Sequence, residues 1–296
     1  MMEKNMVAQK DDSAFQMVKR EFLRDKWALT CLVLLSIVLL TIFVWSLFLD
    51  QDKVMTVDIL RQYERPGVDG MLLGADQGGR DVLAMLILGA KNSIMIGLAV
   101  TVLMLVIGIL FGVIAGYYGG IVDNLMMRFL DFMMTLPMLL LVIVIVSIIP
   151  HYTMMTFVLV MGAFYWVSTA RLIRSKALSE ARKDYISAAK TSGTSDLRII
   201  FGELIPNLSS IIVVEAILSL TANIGIEVGL TFLGFGLPDS VPSLGTLISY
   251  AQDPDVLTAK FWVWLPASLL ILFICVGISY VGNVVRRTLD ARQRLG

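Results

Sequence analysis

Long apolar runs alternate with short polar stretches along most of this chain. The runs fall at approximately Ala28–Leu49, Ile94–Tyr117, Leu125–Ile149, Thr153–Leu172, Leu208–Leu233 and Trp262–Val285. Each approaches or exceeds the ~20 residues that cross a bilayer as a helix. In lipid, backbone N–H and C=O groups are satisfied only within helices or closed barrels. These runs lack the two-residue alternation of barrel strands, so six transmembrane helices in an all-α integral membrane fold are predicted. The first run carries no charge, exceeds a signal-peptide core in length and is followed by no A-x-A site, so an uncleaved first helix is expected. Ahead of it, Phe15, Val18, Phe22 and Leu23 recur at helical spacing among Lys19, Arg20 and Arg24. That pattern predicts an amphipathic helix lying along the membrane interface.

The polar stretches are small. Residues 50–93 and 234–261 hold Pro66, Pro238, Pro242, Pro254 and several glycines, and neither is large enough for a catalytic domain. The exception in character is Lys183–Asn207, a polar island with helical pattern between the fourth and fifth runs. A helix is predicted over 176–192, with Gly193 at the position after its C-cap, where a left-handed residue ends helices. Ser195 is placed to cap the next helix. There Leu197, Ile200, Phe201 and Leu204 recur at i, i+3, i+4 and i+7 as one apolar stripe, and Pro206 punctuates the start of the fifth run. Two short helices joined at a glycine make a protruding elbow. Ala188 and Ala189 leave its surface shallow enough for a partner's groove to close over it.

Composition supports a lipid environment: of the 296 residues, 57% are hydrophobic and 16% charged, against about 45–50% and about 25% in soluble domains. Net charge is zero, which gives no bulk attraction to nucleic acid. The charges are unevenly spread. The tail 1–27 holds Lys4, Lys10, Lys19, Arg20, Arg24 and Lys26, and the loop after the fourth run holds Arg171, Arg174, Lys176, Arg182, Lys183, Lys190 and Arg198. Arg128, Arg286, Arg287, Arg292 and Arg294 fall on the same side, while Lys53, Arg61, Arg65, Arg80, Lys91 and Lys260 fall on the other. The positive-inside rule then puts both termini and the elbow in the cytoplasm, as an even number of spans requires.

Candidate chemistry inside the spans is sparse. Gly108, Gly112 and Gly116 repeat every four residues, a groove in which another helix backbone can approach closely, in a moving pair or in ordinary packing. Arg128 and Asp131 are three apart and can meet on one face. Glu215, Asn223 and Glu227 form a polar stripe in the fifth run. Carboxylates at membrane depth face the bundle interior or a hydrated path, so the stripe reads as translocation-path lining or as helix-to-helix hydrogen bonding. Glu215 and Glu227, twelve residues and about 18 Å of helix rise apart, are too distant for a catalytic dyad. His151 is the single histidine and reads as a surface residue in a short turn, so no metal site is expected. Cys31 and Cys275 lie within apolar runs and read as small hydrophobes. No G-x-x-x-x-G-K-[ST] nucleotide loop occurs, and no Ser-His-Asp set can form, so the chain is not expected to be an enzyme.

Five stretches carry a resemblance: LLGADQGGRDVLAMLILGAKNSI (72–94), AGYYGGIVDNLMMRFLDFMMTLP (115–137), DYISAAKTSGTSDLRIIFGELIPN (184–207), LTFLGFGLPDSVPSLGTLISYAQ (230–252) and NVVRRTLDAR (283–292). From about Arg20 onward the chain resembles the second permease subunit of the dipeptide, oligopeptide and nickel branch of ATP-binding-cassette importers. The polar island resembles that family's EAA coupling loop. It departs at Ser187, where the family usually has Glu, and at Glu203 and Ile205, which replace common apolar choices. The resemblance implies a type I importer fold in the plasma membrane. It divides the chain into a cytoplasmic tail 1–27, a first helix and external loop 28–93, a permease domain 94–285 with coupling loop 173–207, and a tail 286–296. It implies a homologous permease partner, two ATPase subunits that bind ATP and magnesium, and an external solute-binding protein. Tyr185, Ser187, Ala188, Ala189 and Gly193 would form the contact with the ATPases. The cargo implied is di- or oligopeptide, with nickel or another small solute as the alternative. An autonomous secondary transporter would often show two related halves, and none is visible.

Overall fold

A computed structural model describes residues 14–68, 70–150, 152–238 and 240–295. Lys4, Lys10 and His151 lie outside the described residues, as do the side chains of Phe15, Arg292 and Arg294. The helices are α1 Ala14–Arg24, α2 Lys26–Ser46, α3 Gln51–Val54, α4 Val82–Tyr118, α5 Gly120–Thr135, α6 Met138–Ile148 and α7 Met154–Glu180. They continue as α8 Asp184–Thr191, α9 Asp196–Ile199, α10 Ile205–Phe232, α11 Leu244–Ser249, α12 Pro254–Ala259 and α13 Leu265–Leu295. Among the described residues the only strand-like pairing is an isolated bridge between Ala75 and Asp81. Among the described residues five helices are long and apolar enough to cross a membrane, and the count reaches six when the bent pair α5–α6 is taken as one span. This is a multi-pass helical membrane protein.

Two of the predicted spans differ in extent. The second starts at Val82, twelve residues before Ile94, because the Asp81 carboxylate accepts from the Leu83 N–H at 2.8 Å and caps an earlier start. Its 37 residues rise about 55 Å, well beyond the ~30 Å hydrocarbon core. The third, predicted as one run over 125–149, is broken: α5 and α6 meet at 74°. Pro137 supplies no N–H and pushes the residue before it out of the helical region, and Leu136 accordingly sits at ψ 134.

The most extensive helix pair is α4 with α7. A Cβ built on Gly108 would stand 2.9 Å from the Thr169 methyl, one on Gly112 2.6 Å from the Ala170 carbonyl oxygen, and one on Gly116 2.6 Å from the Ala177 Cβ. The three glycines thus face one partner helix, backbone against backbone. Helix α10 packs along α4 and α13. A second cluster joins Met85, Ala90 and Ile94 to Ile224, Val228, Leu244, Leu247 and Ile274 at the opposite end of the bundle from the elbow.

The ends of the described chain gather together. Helix α1 buries Phe22 against Val284, Val285 and Leu289 of α13, with Val18 and Val214 beside them. Two turns earlier on α10, Leu208 lies in the elbow cluster. Elbow, α1 and the close of α13 therefore share one end of the bundle. At the other end the loop after α2 is pinned through a buried carboxylate. Asp76 accepts from the Arg80 Nε at 2.9 Å, and Arg80 donates to the Tyr250 hydroxyl at 2.8 Å. Burial, reinforced by the Asp76 charge, pushes the Tyr250 hydroxyl pKa up, so it stays a neutral bridge between that loop and α11.

The α4–α7 contact yields a direct test. Gly112→Ala is expected to destabilise the purified chain in detergent by about 1–3 kcal/mol through overpacking. Gly225→Ala, where an added Cβ meets nothing within 4 Å, is expected to leave the thermal midpoint unchanged or slightly raised. Equal midpoints for the two variants would contradict the close approach.

Candidate functional site

The elbow is built differently from its sequence pattern. Helix α7 runs unbroken to Glu180, the chain turns over 181–183, and α8 covers Asp184–Thr191. The single helix predicted over 176–192 is therefore two. Gly193 has φ +77. Its N–H reaches the Lys190 carbonyl at 3.0 Å while the Thr194 N–H reaches Ala189 at 3.1 Å, the paired bonds of a Schellman turn. Ser195 occupies the N-cap position of α9, but its side chain makes no capping bond, contrary to the sequence expectation.

The stripe Leu197, Ile200, Phe201 and Leu204 is also split. Ile200 and Leu204 are buried, joined by Ile199, whereas Leu197 and Phe201 are 67% and 58% exposed. A π-helical turn over Ile200–Leu204 is the reason: the Ile205 N–H bonds back to the Ile200 carbonyl, five residues away. Pro206, without an N–H of its own, follows directly. The extra residue rotates the register and turns Phe201 outward.

A plug of apolar side chains seats the elbow on the bundle. Ile186, Ile199, Ile200, Leu204 and Leu208 are buried against Val113, Tyr117, Ile173 and Ala177, with Tyr185 and Ala189 packed at the edge. Polar contacts ring the plug. The Tyr117 hydroxyl donates to Asp196 at 2.7 Å, and the Lys190 ammonium lies 4.3 Å from the centre of the Tyr117 ring. The Tyr185 hydroxyl donates to Glu180 at 2.9 Å, and Lys183 pairs with Glu180 at 2.9 Å. Burial, then the Glu180 bond, pushes the Tyr185 pKa up, so it remains a donor. Ser187 and Ala188 are exposed, as are Leu197 and Phe201.

Among the remaining residues singled out in the sequence, Asp131 does not meet Arg128 but pairs with Arg171 of α7. A parallel pair, Asp123 with Arg174, had no sequence signal because its partners lie 51 positions apart. Glu215, Asn223 and Glu227 each bond to a different neighbour. Glu215 accepts from Thr169 of α7 at 2.8 Å. The Asn223 amide donates to Thr101 of α4 at 2.9 Å. Glu227 is fully buried and accepts from Thr231 at 3.0 Å, with the Ser93 and Ser243 hydroxyls close by. Asn92, one residue from Ser93, holds the Pro242 carbonyl at 2.8 Å, so this seam ties α4 and α10 to the segment leading into α11. Among the described residues no cluster of three or more His, Cys, Asp or Glu side chains with metal-binding geometry occurs.

Residues 108–295 match the family described as binding-protein-dependent transport system inner membrane component. The chain belongs to that family. It is 45% identical over 276 residues to the oligopeptide transport system permease protein OppC of Lactococcus lactis subsp. lactis, a span covering 93% of this chain and 94% of that one. Similarity to the Bacillus subtilis protein of the same name is 31% over 292 residues, 97% and 93% of the two chains. The di/tripeptide transport system permease protein DppC of Pseudomonas aeruginosa is 34% identical over 223 residues, 75% of this chain and 73% of its own length.

The Glu227 seam generates a stability prediction. Glu227→Gln keeps an acceptor for Thr231 and is expected to hold thermal stability within ~1 kcal/mol. Glu227→Leu removes that acceptor and is expected to cost about 1–3 kcal/mol, read as a lowered unfolding midpoint in detergent. A leucine variant as stable as wild type would show that the carboxylate does not hold the seam.

Proposed function

We propose that this chain is the membrane-spanning permease subunit of an ATP-driven, binding-protein-dependent importer that moves peptides across the plasma membrane by alternating access. The observation that carries the reading is the elbow: a polar knob, seated on the bundle by its own apolar plug, presenting Ser187, Ala188, Leu197 and Phe201 outward. A bundle that moved cargo unaided would have no use for such a surface. The peptide cargo is supported by the names of the relatives, which are oligopeptide and di/tripeptide permeases.

In this reading α5–α6 counts as one span, giving six, and the elbow, α1 and the C-terminal end of α13 lie in the cytoplasm, where the lysine- and arginine-rich segments collect. Two ATPase subunits grip the elbows of this chain and of a homologous permease partner, and they bind the ATP and magnesium. A solute-binding protein delivers the peptide to the other side. Closure of the ATPases turns the elbows and opens the path outward, and hydrolysis returns it. Tyr185 and Ala189 anchor the knob, Ser187 and Ala188 meet the ATPase, and Gly193 sets the angle between α8 and α9. Gly108, Gly112 and Gly116 keep α7 tight on α4, so the elbow's root cannot slip. Asn223 and Glu227, buried within one chain, fit helix pairing better than path lining, because a path between two permeases would leave its lining residues open in either chain alone.

Gly193→Val tests the coupling role. A β-branched residue held at φ +77 costs about 1–2 kcal/mol and shifts the angle of the elbow. In vesicles carrying the whole complex, labelled-peptide uptake is expected to fall several-fold at an unchanged membrane level of the chain. Uptake equal to wild type would end the docking assignment.

A further inference from the structure

Helix α5 is a rod with a joint at each end. It begins at Gly119 and Gly120, both at positive φ (63° and 54°) and both with nothing within 4 Å of a built Cβ. It ends at the Leu136–Pro137 break, where α6 departs at 74°. The helix itself has 16 residues, about 24 Å of rise. Contacts along its length add to the backbone in setting the direction of the rod.

Some of those contacts run to α4, where the Phe129 ring lies 6.1 Å from that of Phe111; the charged ones run to α7, the helix that continues to within three residues of the elbow. Near one end, Asp123 accepts from the Arg174 Nε at 2.7 Å and from a second guanidinium nitrogen, a two-pronged pair whose carboxylate is mostly buried. Eight residues and about 12 Å further along, Asp131 pairs with Arg171 at a more exposed position. Arg171 and Arg174 are one turn apart on α7 and so share a face. Between the two ion pairs Leu130 is buried, and the Phe129 ring stacks on Trp166 of α7 at 6.5 Å. One attachment would leave a rod free to pivot; two attachments, spaced along it, fix its direction relative to α7.

We propose that the Asp123–Arg174 and Asp131–Arg171 pairs transmit turning of the elbow, through α7, to the bent third span, so that α5 follows the elbow and changes the angle at Pro137. All four are positioning residues: each acts through its ion-pair partner on the other helix. The inference rests on the importer reading and extends it to a specific link between the coupling surface and the membrane path.

The test uses the complete complex in proteoliposomes, with peptide uptake and ATP hydrolysis measured at matched amounts of assembled complex. Asp123→Asn is expected to retain hydrolysis while the peptide moved per ATP falls at least about fivefold, the lower end of coupling between distant sites. Asp131→Asn is expected to lower the ratio less, and the charge-swapped double variant Asp131→Arg with Arg171→Asp to restore it. If Asp123→Asn does not assemble, the exposed outer pair decides by the same ratio and the same rescue. An unchanged ratio, a parallel fall of uptake and hydrolysis, or failure of the swap to restore the ratio would overturn the link. A wild-type complex that moves no peptide would instead sink the importer reading. Loss of coupling in Gly193→Val with full coupling in the ion-pair variants would remove the link alone.

Discussion

Close approach of α4 and α7 is the contact on which the elbow depends. Helices in lipid gain little from apolar burial alone, because acyl chains are as apolar as leucine, so they associate through backbone proximity and fitted surfaces. Gly108, Gly112 and Gly116 supply that proximity, and the atoms they admit belong to Thr169, Ala170, Arg174 and Ala177. The same stretch of α7 carries both arginines that hold α5, the Thr169 hydroxyl bound to Glu215, and Ile173 and Ala177 of the elbow plug. Displacing α7 by the width of a methyl group would disturb all of these together.

From that pair outward the molecule divides into parts tied by side-chain contacts and two backbone breaks. The plug around Ile186, Ile199 and Leu204, ringed by the Tyr117–Asp196 and Tyr185–Glu180 bonds, makes the elbow an extension of α4 and α7. The Glu227 seam and the Asp76–Arg80–Tyr250 bridge fix the other end. The breaks are Gly119–Gly120 and Leu136–Pro137, on either side of α5. In the proposed importer, force applied to the outward face of the elbow would meet the α4–α7 pair first and α5 second. That arrangement fits the proposed importer, in which ATPases turn the elbow.

Much of this was legible in the residues. Uninterrupted apolar length located the membrane helices, and the four-residue glycine spacing marked the face of α4 that meets α7. Gly193 announced its left-handed turn. What escaped was set by tertiary context or by local competition. A proline inside a continuous apolar run, Pro137, does not say whether the helix kinks or breaks. Asp81 started α4 early from within a stretch that looked like loop. The π turn before Pro206 rotated Phe201 out of a stripe that was regular on paper. Asp131 had two arginines in reach, one three residues away and one on another helix, and spacing along the chain favoured the one the fold does not use. Ion pairs between helices leave no periodic trace.

The proposed coupling requires the elbow to lie inside the cell and to be covered by ATPase. In a chain with Cys31 and Cys275 replaced by serine, a single cysteine at Ala188 would be exposed to an impermeant thiol reagent in vesicles of both orientations. The account predicts labelling in inside-out vesicles only, with protection when the ATPase subunits are bound. Labelling in right-side-out vesicles, or no protection by the ATPases, would contradict it.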